Sequence, residues 1–518
     1  MKTDRNGFPR RRFVGLGAGA LAAATAPNLL LGCAPRLANR PGGSGNVGYF
    51  ARFGVDERML RETLATALSR GGDSADLYFQ HNVSNSLSLE DGIINRTSSN
   101  VGLGVGVRVV KGDQMGYGYT EELTLEALRR CAETAAAVAD GPSRAAPSSF
   151  HIAADLPRRY PVQTRWDAVD ADAKLPLLTG LNAGALAADP RIKKVNVNYS
   201  DETSVILLVT SDGLMVEDHL PMTSLGLSCL GEEKGRRESN AYRVASRSGM
   251  EYYTRERLDR IVREAVARTT VLFEAITPPA GEMPVVLGAG SSGILLHEAI
   301  GHGMEADFNR KKVSIFADRI GKPVAQPFVN IVDDGTLDFA RGTINVDDEG
   351  NAPQKTMLVE GGILTTYLHD EISAKHYKVK PTGSGRRESY RHVPMPRMRA
   401  TYMLPGPHHR EEIIASVKKG IFCDYFSNGQ VQIGAGDFTF YVKNGYLIED
   451  GKLTRPIKDV NIIGNGPKVL EKVDMVGNDL KMDEGGWTCG KNGQSVPVSL
   501  GIPTVRISAI TVGGRGKA

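Results

Sequence analysis

Residues 295–308 read LLHEAIGHGMEADF and set two histidines around a glutamate at a spacing that a regular helix cannot use. His297 and His302 are five residues apart, which turns an α-helix through roughly 500° and leaves the side chains about 140° apart. The familiar zinc helix H-E-x-x-H avoids this, because its i, i+4 pair shares one face. The chain must therefore keep the two histidines separate or leave α-geometry between them. Gly301 and Gly303 favour the second outcome, since glycine readily leaves right-handed helical geometry. One extra residue in the turn, a π-type bulge, corrects the spacing. His297 and His302 then share one ion, with Glu298 placed as a base toward metal-bound water. The competing reading leaves both histidines as capping and surface residues at a helix end.

A catalytic zinc site takes three protein ligands and keeps one position open. Candidates for the third ligand are Asp307, the Asp333-Asp334 pair, Asp347-Asp348-Glu349, His392 and Cys489. The acidic pairs sit in D-D-G and D-D-E-G settings and read as turn residues. A rival motif overlaps the same region. PVVLGAGSSGILLHEA holds Gly288, Gly290 and Gly293 as G-x-G-x-x-G, after a strand and before a helix, which is the context of a dinucleotide fold. The rest of that fingerprint is missing, because the helix meets Gly301 and Gly303 and then EADFNRKK. A nucleotide-binding oxidoreductase using Gly288–Gly293 is therefore the second enzyme reading, and a tight strand-to-helix turn is the expected role of the glycines. An exported, non-catalytic scaffold lipoprotein is the reading from outside the enzymes.

The fold class expected is α+β. An N-terminal mixed α/β-type domain covers residues 46–275, and an antiparallel, β-rich C-terminal domain covers 276–518 and carries the metal-binding helix. VDERMLRETLATALS has a 3.6-residue period, and DLYFQHN and VGLGVGVRVV read as strands. Helices near 170–187 and 251–272 flank strands near 193–210, and Pro278-Pro279 marks the boundary. Beyond it, LVEGGILTTYL and YLIEDGKLTRPI are hairpins by their E-G-G and D-G turns. Helical patterns there are few, one at 292–301 and one near 410–419.

Residues 1–45 read as an address. Arg10, Arg11, Arg12 and Phe13 precede a Gly/Ala-rich apolar stretch, a pattern similar to a twin-arginine export signal. The stretch ends Leu30-Leu31-Gly32-Cys33, similar to a lipoprotein box, so Cys33 is the expected lipidation site. Residues 34–46 read as a tether. The predicted location is the periplasm or cell envelope, with the membrane met only through that lipid anchor. Net charge is +4 from 63 basic and 59 acidic residues, without a basic stripe, and only 6% of residues are aromatic. That excludes nucleic acid as the expected partner.

The blocks LLHEAIGHGMEADFNRK, VDDGT, NVDDEG, PTGSGRRESYRHVPMPRM, TYMLPG, DMVGNDLKMD and GGWTCGKNGQSVPVSLGIPTVRI together resemble the TldD/PmbA family of metalloproteases, in its TldD branch, which keeps the zinc motif. The resemblance is dense over about 280–515 and general before it. It implies zinc held by His297, His302 and Cys489, with Glu298 as general base, in a peptidase that hydrolyses short or unfolded peptides. It also implies a second subunit, either another copy or a PmbA-like paralogue. A thiolate ligand lowers the charge and Lewis acidity of the metal unit, which leaves more of the water activation to Glu298. Arg386 and Arg387, in GSGRRES, are candidates for gripping a peptide carboxylate or carbonyl; the alternative is a salt-bridged pair supporting the sheet.

Overall fold

The computed structural model describes residues 47–153 and 156–514, so the arginine run, Cys33 and the tether lie outside the described residues. The first sheet is built from β1 (Ser74–Glu90), β2 (Ile93–Lys111), β3 (Gln114–Thr120), β4 (His151–Ile152), β5 (Ile192–Thr210), β6 (Leu214–Glu233) and β7 (Arg236–Ser246). Its order is β3-β2-β1-β5-β6, with β4 and β7 both paired to β6. Every pairing is antiparallel except β4 with β6.

The period-2 pattern of these strands puts one apolar row on the face that receives helices. Leu77 and Phe79 stand opposite Val107 and Val105 on one side and Val209 and Leu207 on the other. This row packs against α1 (Glu57–Ala67) and α2 (Leu125–Ala136). Farther along the same strands, Leu89, Val195, Val197 and Leu227 pack against α3 (Ala171–Ala188) and α4 (Arg255–Thr270). Asp56, Thr124 and Thr254 cap α1, α2 and α4 by accepting the N–H three residues on, which satisfies an otherwise orphaned donor. Cys131 is buried on α2, as its apolar helix face predicts.

After Pro278-Pro279 the chain builds two further large sheets, of seven and six strands. β8 (Gly281–Leu287) lies between Lys419–Gln432, which it meets in parallel, and Val505–Gly514, which it meets antiparallel. The other sheet contains Ile331–Asp334, Ala400–Met403 and Ser499–Ile502, and the last two run parallel. Among the strands described, the expected antiparallel texture thus holds apart from these two parallel pairings and a few isolated parallel bridges. Both expected hairpins form. Gly361 and Gly362 have φ of 55° and 77°, and Asp450 and Gly451 have 49° and 75°, the positive-φ pairs that two-residue hairpin turns demand. Short helices at Ala306–Arg310, Glu371–Tyr377 and Gly466–Glu471 are additional to the sequence reading.

The G-x-G-x-x-G segment is a turn, not a nucleotide cradle. A Cβ on Gly293 would stand 2.7 Å from the backbone nitrogen of Gly501, so the glycine is there to let two backbones touch. The space a pyrophosphate would need beside it is filled by the strand Ser499–Ile502.

Candidate metal centre

From β8 the chain turns through Ser291–Gly293 into Ile294–Leu296, whose three side chains are all buried. The next five residues, His297–Gly301, form a π-helical turn, closed by the N–H of His302 donating to the carbonyl of His297. A π turn bonds i to i+5 and so brings positions five apart onto one side. The two imidazole centroids are 5.1 Å apart. Gly301 does not supply this by unusual backbone angles, since its φ of −57° and ψ of −51° are ordinary right-handed values. Its role is steric: a Cβ there would fall on the Met398 sulfur.

The third donor arrives from a hairpin. Thr488–Lys491 pairs with Gln494–Pro497 across an Asn492-Gly493 turn with φ of 50° and 74°. Cys489 Sγ lies 3.4 Å from His302 Nε2, and one donor atom from each of His297, His302 and Cys489 falls within a 4.8 Å span. All three residues are at most 4% exposed. Among the described residues, the other sequence candidates do not join them. Asp307 accepts from Lys491 Nζ at 2.7 Å, and His392 Nδ1 lies 3.0 Å from Ser389 Oγ. The acidic pairs are turn residues, as expected, since Asp334 and Asp347 accept the N–H two residues on, and they are also largely buried partners. Asp333 accepts from Thr401 Oγ1 at 2.7 Å, and Glu349 accepts from Arg108 at 2.5 Å.

Behind the triad is a charged layer that sequence reasoning passed over. Glu305 is fully buried, with Oε2 3.0 Å from His302 Nδ1 and 3.1 Å from Lys491 Nζ. Arg397 approaches Glu305 and donates to the Cys489 carbonyl at 2.6 Å. The signals were present: Glu305 follows His302 at i+3, and Lys491 follows Cys489 at i+2 on one strand face.

These neighbours set the protonation of the site. Burial would push the Cys489 thiol up, but His297 and His302 beside it hold it well below its usual range. Burial works against the His302 imidazolium, and the Glu305 carboxylate with Cys489 raises it well above the ordinary value nonetheless. Glu305, despite its burial, is held down to about 2 by Lys491, His302 and Arg397. Glu298 is partly buried, and that burial pushes its carboxyl up. It abuts Gly429, where a Cβ would stand 3.4 Å from Glu298 Cγ. Two imidazoles and a thiol form a donor set that zinc accepts, and His297 Nδ1 is buried without a hydrogen-bond partner, so the residues fit a metal.

Arg386 and Arg387 do not reach toward this centre as substrate-gripping residues. Arg386 donates to the carbonyls of Met398 and Pro497 at 2.6 and 2.7 Å. Arg387 donates to Asp76 at 3.1 Å and to the Asp348 carbonyl at 2.8 Å. Both are nearly fully buried; Arg386 ties later segments to one another, and Arg387 ties β1 of the first sheet to the segment at Asp348.

The chain is similar to known proteins along most of its length. The PmbA/TldA metallopeptidase C-terminal domain matches residues 280–514, domain 1 matches 75–139 and the central domain matches 164–273. A metalloprotease TldD homolog of Haemophilus influenzae is 42% identical over 453 residues, covering 86% of this chain and 94% of that protein. A zinc metalloprotease TldD homolog of Saccharolobus solfataricus is 35% identical over 239 residues, 46% of this chain and 53% of that one. The crystal structure of TldE from Thermococcus kodakarensis superposes with a TM-score of 0.66 at 18% identity, over 86% of this chain and 97% of that one. A Thermotoga maritima structure has a TM-score of 0.71 at 21% identity, over 88% and 100% of the two chains.

Proposed function

This chain belongs to the PmbA/TldD metallopeptidase family, and on that footing we propose that it is a zinc-dependent peptidase acting on short or unfolded peptides. The observation that carries the reading is the convergence of His297, His302 and Cys489 beside Glu298. Zinc held there would supply a Lewis acid toward a peptide carbonyl and toward water. The chain's own residues do the rest. Glu305 accepts from His302 Nδ1 and so turns Nε2 toward Cys489. Arg397 fixes the Cys489 backbone. Glu298, whose burial makes its carboxyl a better proton holder, takes the proton of the attacking water and returns it to the leaving amine.

The test is elemental analysis of the purified full-length protein together with digestion of a peptide library. Stoichiometric zinc with cleavage that a chelator abolishes supports the reading. Peptides left intact by the zinc-loaded protein defeat it. The Arg10-Arg11 pair and Cys33 support a further proposal, that the mature protein is exported and lipid-anchored in the cell envelope. We also propose a working form of two subunits, with a second copy or a PmbA-like paralogue; light scattering of the protein alone and with that paralogue tests it.

A further inference from the structure

A cavity of about 280 Å³ opens between β7, the strand Lys419–Gln432 and the loop 483–487 that leads into Cys489. Two of its walls sit two residues from the chemistry. Trp487 precedes Cys489 by two, and Ser427 precedes Gly429, the residue against Glu298, by two. Strand residues rise about 3.3 Å each, and an extended peptide advances at a similar rate. A peptide cut beside Glu298 and running toward this cavity would present to it a group about two residues from the cleaved bond.

The lining is unusual in its charge. Arg243 lines the cavity, is exposed, and among the described residues makes no hydrogen bond or ion pair. Arg268 is clamped between the rings of Tyr425 and Tyr242, at 4.2 and 4.7 Å, with Glu264 3.7 Å away. The one carboxylate in the lining, Asp483, is already committed to the Trp487 indole N–H and the Gly485 N–H. The loop itself is pinned, because the Ala245 N–H donates to the Glu484 carbonyl at 2.8 Å. The cavity is thus prebuilt: Arg268 is held by aromatic rings with Glu264 beside it, Asp483 faces neutral N–H donors, and the Arg243 guanidinium is left without a protein partner among the described residues. An apolar side chain entering it would strip water from Arg243 without replacing the lost hydrogen bonds, whereas a carboxylate would replace them.

We propose that this cavity is a subsite for a substrate carboxylate, either an Asp or Glu side chain or the C-terminal carboxylate of the peptide. The proposal rests on the peptidase reading above and names the substrate class that reading leaves open. Binding separates the two. Fluorescent decapeptides are titrated into the zinc-loaded, full-length Glu298→Gln protein, with an Asp/Asn exchange scanned along them and the C-terminus free or amidated. One acidic peptide is expected to bind about tenfold tighter than its neutral twin, in line with a charge-assisted hydrogen bond. An Asp-over-Asn preference at one position identifies the side chain, and a free-over-amidated preference with Asp and Asn alike identifies the terminus. Arg243→Gln should erase the preference, and Arg243→Glu should turn it toward a lysine peptide. Equal binding of acidic and neutral peptides, or a preference untouched in Arg243→Gln, overturns the subsite even if the protein cuts peptides. A preference that follows Arg243 in a protein that cuts nothing supports the subsite and defeats the peptidase reading.

Discussion

The N–H of His302 donates to the carbonyl of His297, so the bond that defines the π turn joins the two histidines themselves. An α-helix would give that carbonyl to the N–H of Gly301 and leave the two rings about 140° apart. The departure is held by packing. Gly301 keeps right-handed angles, and Met398 fills the place where a side chain would begin.

Gly301→Val should therefore weaken zinc binding without altering a donor. The added carbons collide with the Met398 sulfur, and the turn must shift to escape. A displaced ligand frame costs about ten- to a hundredfold in metal affinity. Chelator competition measures it, and Met398→Ala in the same protein should recover much of the loss by clearing the space. Equal zinc affinity in Gly301→Val and the parent would remove the packing argument.

Glu298→Gln should retain zinc and lose at least about a hundredfold in peptide turnover, because general-base steps contribute about 10²–10⁴. The side chain is partly buried beside the triad and is not one of the donors brought together there. Near-parental turnover in a protein shown to carry zinc would rule the role out.

The site was more legible in the sequence than its reasons were. The five-residue spacing demanded a broken helix, and the turn appeared within the predicted residues. The cause assigned to Gly301 was backbone freedom, whereas the structure shows a contact with Met398, almost a hundred residues away, which no local pattern encodes. The hairpins at Gly361-Gly362 and Asp450-Gly451 were readable because turn chemistry is local. The helix Glu371–Tyr377 was not, since seven residues give too little periodicity to register. For Arg386 and Arg387 the sequence left two readings open for a related reason. A paired-arginine motif looks the same whether it faces a substrate or, as Arg387 does, a buried Asp76 and a half-buried Asp348.

The N-terminal reading makes a separate prediction. If residues 1–45 are an export signal and lipobox, the membrane fraction should hold a protein that begins at Cys33 and is heavier by its lipid. Intact mass shows this directly. Export that persists after Arg10, Arg11 and Arg12 are changed to lysine, or an unprocessed N-terminus, would count against it.

Glu305 gives the pH prediction. Its carboxyl is pulled from 4.5 to about 2 in the fold, against burial, by Lys491, His302 and Arg397. A depressed carboxylate binds fewer protons in the folded than in the unfolded chain, so folding stability falls as pH falls. The contribution is fully present above about pH 4.5 and is lost progressively as pH drops toward 2. A shift of this size corresponds to about 3 kcal/mol. In chelator-treated protein, Glu305→Gln should be less stable than the parent at pH 6, because Lys491 loses its 3.1 Å partner and His302 its 3.0 Å partner. The gap should close as both proteins are taken from pH 5 to pH 2, since the parent's carboxylate is neutralised there as well. Urea unfolding across that range measures it. A gap that stays constant with pH would mean that Glu305 acts by shape and not by charge, and its part in orienting His302 would then rest on the hydrogen bond alone.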